Sequence, residues 1–383
     1  MKRNINDIVY GLISVDGDMI KIIDTPIFQR LGHIKQLTSA EYVFPGARHT
    51  RKEHSIGAMY LAGKYSYALE LNDYDTKVVK IASLLHDVCH GPYSHSWDTI
   101  IYTELYPKIH KGHDKHRHKV LNVLLSSIMN DIEIKISDIS EVWNGQNLVL
   151  SAILQGPLGC DRGDFLRRDT LYTATQHFGN LEMDRIINGS SIYTKNDDIK
   201  VLAYDEDVIS DAIQGLNSRL YLYNKVYLHK TVIAAAILIE AALKLSKNYF
   251  NFVDKTDDLE QFIYLNDSVL DHILATDVLE LEDARYYARR AYNRELPKMI
   301  SEEIIYLSPE NNREHIPGIC IDNEKKLITW TGRVLSNDFA REFDKYDIHV
   351  VTKKGTVPFI KYWHNKNSHY QIETYYIKRI YSL

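Results

Sequence analysis

The chain has 383 residues, of which 45% are hydrophobic and 25% charged, with a formal net charge of −5. That balance excludes long disordered stretches and gives no overall positive field for non-specific nucleic-acid binding, although local basic clusters can still serve a small anion. The three cysteines, Cys89, Cys160 and Cys320, have no CxxC spacing, which excludes a disulfide framework and fits a reducing, cytoplasmic setting.

In chain order, the opening MKRNINDIVYGLISVDGD holds no apolar run of signal-peptide length, and IVYGLISV alternates as a short strand or hairpin does. From Ile20 to about Phe250 the texture is mostly helical. KVVKIASLLHDV places Val78, Val79, Ala82, Leu85 and Val88 close to a helical period, and similar patterns run through HKVLNVLLSSIMNDI, DFLRRDTLYTATQHF and the long stretch from Asp207 to Leu245. VFPGARHT, CHGPYSH and the His-rich IHKGHDKHRHK read as loops. The most apolar run, Thr231 to Leu245, carries Glu240 and falls short of the roughly 20 residues a membrane span needs, so a buried helix is expected and no membrane. After Asn251, ELEDARYYARRAYNRELPKMI reads as one more helix, with acids early and bases late. KLITWTG, DIHVVTKKG and HYQIETYYIKRI then alternate like strands. The expected architecture is mostly α: a helical body over residues 1–250, then a smaller α+β lobe over 251–383 serving regulation or oligomerisation.

The clearest chemical signal is His86-Asp87 at the end of a very apolar helix, in SLLHDVCHGPYSH. Adjacent helical residues diverge by about 100°, so both side chains reach one cation only if it sits beside the helix end. A buried carboxylate needs such a cation or a donor network. The bland reading is a helix that simply ends on polar residues before Gly91-Pro92. Upstream, Thr50 and Glu53 form a T-x-x-E capping box that puts His54 in the first turn of a helix, with Arg48, His49, Arg51 and Lys52 around an end suited to anions; a capped surface helix would look the same. Downstream, Asp161 opens another helix in CDRGD, where it could be only an N-cap.

Taken together, DTPIFQRLGHIKQL, EYVFPGARHTRKEHSIGAMYLAG, LLHDVCHGPYSHSWD and SRLYLYNKVYLHK closely resemble the SAM-and-HD-domain deoxynucleoside triphosphate triphosphohydrolases of the HD superfamily, and more loosely the bacterial deoxyguanosine triphosphate triphosphohydrolases. The resemblance runs with gaps from about residue 3 to residue 300. It implies an HD-domain helical core with a divalent metal ion (Mn, Fe, Zn or Mg) held by His54, His86, Asp87 and Asp161. It implies acid/base groups at His90, His95, Asp98 and His116, although the four histidines of HKGHDKHRHK otherwise read as mostly exposed loop residues. Arg51, Arg162, Arg219 and Lys230 fall at phosphate-binding positions, where surface salt bridges are the plain alternative. Gln36, Leu37, Asp169 and Tyr227 fall where the deoxyribose is held, the Tyr and Leu crowding out a 2′-hydroxyl. Without the resemblance, Tyr227 is one more aromatic on a packed helix.

The sequence also departs from this family. The residues ahead of the HD region do not read as a SAM domain, so the partner binding it provides in relatives is not expected here. Phe165 stands where the family has Tyr; Gly32 replaces an Arg that would join Asp24 and Gln29 on an activating guanine nucleotide; Tyr204 and Glu206 replace basic residues at a second regulatory site. Arg3, Asn6, Arg185, Arg294 and Lys298 do match regulatory positions, so nucleotide activation stays open. The implied reaction is hydrolysis of a dNTP to deoxynucleoside and inorganic triphosphate by a homo-oligomer, dimer or tetramer, with no nucleic acid required. Two other readings are an HD hydrolase acting on another nucleotide phosphate ester and a non-catalytic nucleotide-sensing module. The full set of ligands and acid/base histidines counts against the second.

Overall fold

The computed structural model describes residues 2–107, 109, 112–176, 181–195, 198–306, 318–322, 326–334, 343–366 and 375–382. Its first element is the expected hairpin, β1 (Lys2–Asp7) and β2 (Gly11–Asp16), paired antiparallel from Lys2↔Asp16 to Asp7↔Gly11. The Asp7 carboxylate closes the turn by accepting the N–H groups of Val9 and Tyr10 at 2.8 and 3.0 Å. Gly11 follows with a φ of +72°, a left-handed conformation that glycine adopts at no steric cost.

Helices dominate from there to Ser246. The helix Arg51–Ala68 packs lengthwise on the helix Asp73–Leu85, and Cys160–Tyr172 leans on the first of them. In Asp73–Leu85 the Asn72 side chain caps the N-terminus through Asp75 N–H, and Val78, Val79, Ile81, Ala82, Leu84 and Leu85 are all buried. The helix Lys230–Ser246 is largely buried and packs on Glu282–Tyr292. Among the described residues no single helix is long and apolar enough to cross a membrane. Glu240, within the first of this pair, accepts a hydrogen bond from Ser96 at 2.9 Å, and burial pushes its carboxyl up to about 7.

The sheets are small. The strands β3 (Ser190–Thr194), β4 (Lys200–Asp205), β5 (Lys298–Tyr306), β6 (Gly318–Asp322), β7 (Leu327–Val334), β8 (His349–Thr352), β9 (Gly355–Pro358) and β10 (Tyr375–Ser382) form two four-stranded sheets. One has the order β5-β10-β7-β6 and is antiparallel throughout. The other has the order β3-β4-β8-β9, with β4 and β8 parallel. The fold is thus mostly α with smaller sheets, as expected. KLITWTG and DIHVVTKKG contain strands, and HYQIETYYIKRI does over its described part.

Two local expectations change. β3 and β4 interrupt the stretch expected to be helical. The helix Gly112–Val123 begins inside the His-rich stretch expected to be a loop and runs into the stretch expected to be helical. The position expected for a domain division, after residue 250, has one apolar core running through it: Leu84, Leu154, Phe252, Phe262, Leu270 and Ala288 belong to the same buried cluster.

Candidate metal centre and active site

At the start of Arg51–Ala68, Glu53 Oε2 accepts the backbone N–H of Thr50 at 2.5 Å and its hydroxyl at 2.7 Å, so the capping box forms. It sets His54 in the first turn with its ring inward. Asp73–Leu85 delivers His86 at its C-cap and Asp87 next to it. Cys160–Tyr172 brings Asp161 in its first turn; the N-cap is Gly159, so Asp161 is not spent on capping.

The three helix ends converge. The Nε2 atoms of His54 and His86 are 3.1 Å apart, and Asp161 Oδ1 lies 3.2 and 3.5 Å from them. Asp87 Oδ1 is 3.4 Å from His86 Nε2, and Asp87 Oδ2 is 3.8 Å from His54 Nε2. The other ring nitrogens are committed: His54 Nδ1 donates to Asp164 Oδ2 and His86 Nδ1 donates to the Ser83 carbonyl, both at 2.7 Å. A carboxylate and a carbonyl can only accept here, so each Nδ1 carries hydrogen and each Nε2 is left as the free nitrogen.

Two such nitrogens facing each other between carboxylates need a proton or a cation. Burial disfavours the His54 imidazolium, but Asp161, Asp164 and Asp87 outweigh it and push the group up to about 10; His86 is raised on the same grounds by Asp87 and Asp161. Burial would likewise neutralise Asp87 and Asp161. Arg51, His86 and His90 keep the first well below the usual carboxylate range, and His54 and His86 keep the second there. Two imidazole nitrogens and two ionised carboxylates therefore fit a first-row divalent ion.

Beyond Asp87 the chain turns sharply. Tyr93 and Ser94 both have a φ of +54°, strained for residues with side chains. The turn is held by Asp267, which accepts Tyr93 N–H at 2.7 Å, and by Arg51, whose Nε donates to Ser94 Oγ at 2.8 Å while its Nη1 pairs with Asp87. The buried Arg30 braces it from behind, donating to the carbonyls of His90 and Leu265 at 2.6 Å each.

Past the turn, Asp98 orients two histidines: Oδ2 is 3.2 Å from His95 Nδ1 and Oδ1 is 2.7 Å from His113 Nδ1. Burial opposes ionisation of Asp98, yet His113 and His95 hold it well below the carboxylate range. The His95 side chain is 77% exposed, and with Nδ1 turned to Asp98 its Nε2 is the nitrogen left for a ligand. The His90 and His113 rings overlap with centroids 4.0 Å apart, and His90 Nε2 lies 3.2 Å from Asp87 Oδ1. Burial, with Arg51 and His113, keeps His90 neutral.

His116 is not in this cluster. It is fully buried, its Nδ1 accepts the Tyr106 hydroxyl at 2.8 Å, and its ring meets Phe262 edge-on at 4.9 Å. His113 stands where His116 was expected. The stretch is helical rather than a loop, so His113 and His116 are buried and His118 half-buried; His110 lies outside the described residues. The signal was present: His113, His116 and Arg117 fall at helical spacing with Val120 and Leu121, and all five are buried.

Of the expected substrate residues, Asp169 is the hub. Its Oδ1 faces His49 Nε2 at 2.8 Å and its Oδ2 accepts the Tyr227 hydroxyl at 2.5 Å. Gln36 joins through its N–H to the His49 carbonyl at 2.9 Å, and its buried Oε1 has no partner among the described residues. Leu37 is half-buried beside it. Arg51 belongs to the metal side, as above, and Arg162 follows Asp161 on its helix. Arg219 is buried with its guanidinium 5.5 Å from the centre of the Tyr223 ring, and Lys230 opens Lys230–Ser246, exposed. Phe165 meets the His54 ring edge-on at 6.3 Å.

The expected regulatory residues come from several elements. Arg3 pairs twice with Asp24 at 2.6 and 2.8 Å, and Asn6 is exposed further along β1. Gln29 Oε1 accepts from Lys52 at 2.6 Å. Arg185 pairs with Asp211 at 2.9 Å, Arg294 reaches the Tyr42 carbonyl at 3.4 Å, and Lys298 is exposed at the start of β5. Tyr204 is fully buried against Tyr65, and Glu206 accepts the Tyr362 hydroxyl at 3.1 Å.

Comparison with known proteins agrees with this geometry. Residues 51–145 match the family described as HD domain. The chain is 28% identical over 328 residues to the deoxynucleoside triphosphate triphosphohydrolase SAMHD1 homolog of Dictyostelium discoideum, covering 79% of this chain and 60% of that protein. To human SAMHD1 it is 28% identical over 346 residues, covering 78% of this chain and 55% of the human protein. To the putative HD domain-containing protein L394 of Acanthamoeba polyphaga mimivirus it is 29% identical over 348 residues, covering 80% and 73%. The chain thus spans about 55–60% of the length of the first two relatives. Residues 51–145 thus match the HD-domain family, in a chain similar to the SAMHD1 deoxynucleoside triphosphate triphosphohydrolases over about four fifths of its length.

Proposed function

We propose that this protein hydrolyses deoxynucleoside triphosphates to deoxynucleoside and inorganic triphosphate. The observation that carries the reading is the convergence of the His54 and His86 Nε2 atoms with Asp87 and Asp161 beside a histidine pair oriented by Asp98. His54, His86, Asp87 and Asp161 would hold a divalent ion (Mn, Fe, Zn or Mg), which when bound polarises a phosphoryl oxygen and lowers the pKa of a water.

Water attacks the α-phosphorus and the bond to the 5′-oxygen breaks, so that oxygen needs a proton. His95, oriented through Nδ1 by Asp98 and open at Nε2, supplies it. His113 shares Asp98 and His90 packs on His113, so the two fix the carboxylate and keep the His95 turn in register. Arg51, Arg162, Arg219 and Lys230 neutralise the triphosphate, arginine through its planar fork of donors. Asp169 and the unpartnered Gln36 Oε1 offer acceptors to a sugar hydroxyl, while Tyr227 and Leu37 wall the place of a 2′-hydroxyl. Arg3, Asn6, Asp24, Gln29, Arg185, Arg294 and Lys298 are the positions for an effector nucleotide, and such a site belongs to a homo-oligomer. Three free cysteines, two of them buried, suit a cytoplasmic setting.

The test is to incubate the protein with each dNTP and NTP and Mn2+, with and without GTP, and to resolve products by ion exchange. Deoxynucleoside and intact triphosphate are expected, absent in Asp87→Ala. Consumption of no dNTP under any of these conditions would transfer the chemistry to another phosphate ester.

A further inference from the structure

Behind the metal centre lies a buried chain of charges that the reaction does not touch. Asp164 accepts from His54 Nδ1, and Arg168 grips the same carboxylate at two points, Nε to Oδ2 and Nη2 to Oδ1, both 2.9 Å. The remaining guanidinium nitrogen, Nη1, is 2.9 Å from Asp7 Oδ2. The Arg168 and Asp164 side chains are 0% exposed and that of Asp7 is 4% exposed. Asp7, in turn, is the residue whose Oδ1 closes the N-terminal hairpin.

We propose that Asp7 and Arg168 are positioning residues of the metal centre: through Asp164 they hold the His54 imidazole so that Nε2, not Nδ1, faces the ligand cluster, and they make the N-terminal hairpin part of its support. This rests on the reading of His54, His86, Asp87 and Asp161 as metal ligands.

Three features argue against an ordinary structural ion pair. Buried ion pairs are weak stabilisers compared with apolar packing of the same volume, so charges retained here call for a specific geometric task. The two-point grip fixes the plane of the one carboxylate that orients His54, and an orienting partner of this kind sets both the tautomer and the ring angle of a ligand. The helix bearing His54 also makes room for it. A Cβ at Gly57, one turn on, would lie 1.8 Å from Asp164 Oδ1 and 2.5 Å from Arg168 Nη2. The consequence is a short mechanical link, since a ligand that shifts β1 acts on Asp7, and Asp7 is three contacts from His54 Nε2.

Asp7→Asn tests it, because the amide keeps the oxygen that Val9 and Tyr10 need and removes the charge facing Arg168. Mn2+ affinity, measured by titration calorimetry on the full chain, is expected to fall on the order of tenfold. Arg168→Lys, which cannot span Asp7 and Asp164 together, is expected to fall similarly and serves if Asp7→Asn does not fold. Independently of metal, the His54 Nδ1–H resonance of 15N-histidine-labelled, metal-free protein is expected downfield and slowly exchanging in the wild type. In Asp7→Asn it should move upfield and exchange faster. Identical His54 resonances in the two proteins overturn the positioning role. A wild type that binds no Mn2+ would instead sink the metal-centre reading, whatever the resonances show.

Discussion

His113 and His116 lie one turn apart on the same helix, yet one orients with Asp98 and the other is enclosed by Tyr102, Tyr106 and Phe262. Replacing each by Gln should separate them. His113→Gln is expected to lower turnover of dATP by about 10²-fold or more, the usual range for losing an acid/base partner, while His116→Gln leaves it near wild type. His116→Gln should instead alter stability. Burial holds its imidazole at about 4 against an ordinary 6.5, so both states are neutral at higher pH. As pH falls from 6.5 the unfolded chain takes a proton that the folded one refuses. The stability present above 6.5 is lost down to about 4, by about 3 kcal/mol. Urea unfolding at about pH 7.5 and about pH 4.5 should show a smaller difference in the variant than in the wild type. An equal difference in both proteins would mean that His116 titrates normally. At this scale the His86-Asp87 pair was legible because an ionisable pair closing an apolar helix is costly without a partner. Asp164 and Arg168 were not, since Asp and Arg four apart on a helix read as an ordinary surface pair.

Among the elements, Arg51–Ala68 and Cys160–Tyr172 cross so closely that no side chain fits at Gly57. Alanine at position 57 would gain about 1 kcal/mol of helix propensity but force apart a buried charge pair, which costs about 3–5 kcal/mol because a buried charge is left uncompensated, a net loss of about 2–4. Gly57→Ala is therefore expected to lower the urea midpoint and weaken Mn2+ binding together. A variant as stable as wild type, with unchanged Mn2+ affinity, would show that the two helices simply move apart. Helices were the more legible elements because their burial repeats locally, as in Asp73–Leu85. β3 and β4 were missed for the opposite reason. Four consecutive residues of β4, Val201 to Tyr204, are buried, so no alternation marks it as a strand, and its parallel partner β8 lies far along the sequence.

For the molecule as a whole, a cation that binds the folded chain but not the unfolded one adds stability as its concentration rises. The gain is about 2.7 kcal/mol at a hundredfold excess over Kd. Adding Mn2+ should thus raise the thermal midpoint of the wild type and leave Asp87→Ala unmoved; a shift of the same size in both would place the bound ion elsewhere. The mostly α architecture with small sheets was legible from periodicity, whereas the expected division after residue 250 takes no account of contacts between distant segments. Trp97 donates to Thr256 at 3.2 Å, Arg30 to Leu265 at 2.6 Å, and Asp267 accepts Tyr93 N–H at 2.7 Å. The strained turn at Tyr93 and Ser94, held from upstream by Arg51 and Arg30, therefore has its full set of braces only once Asp267 exists. On the ribosome, every metal ligand emerges well before Asp267 does. A nascent chain that has not yet reached Asp267 thus carries those histidines and aspartates without one of the contacts that fix the turn after Asp87.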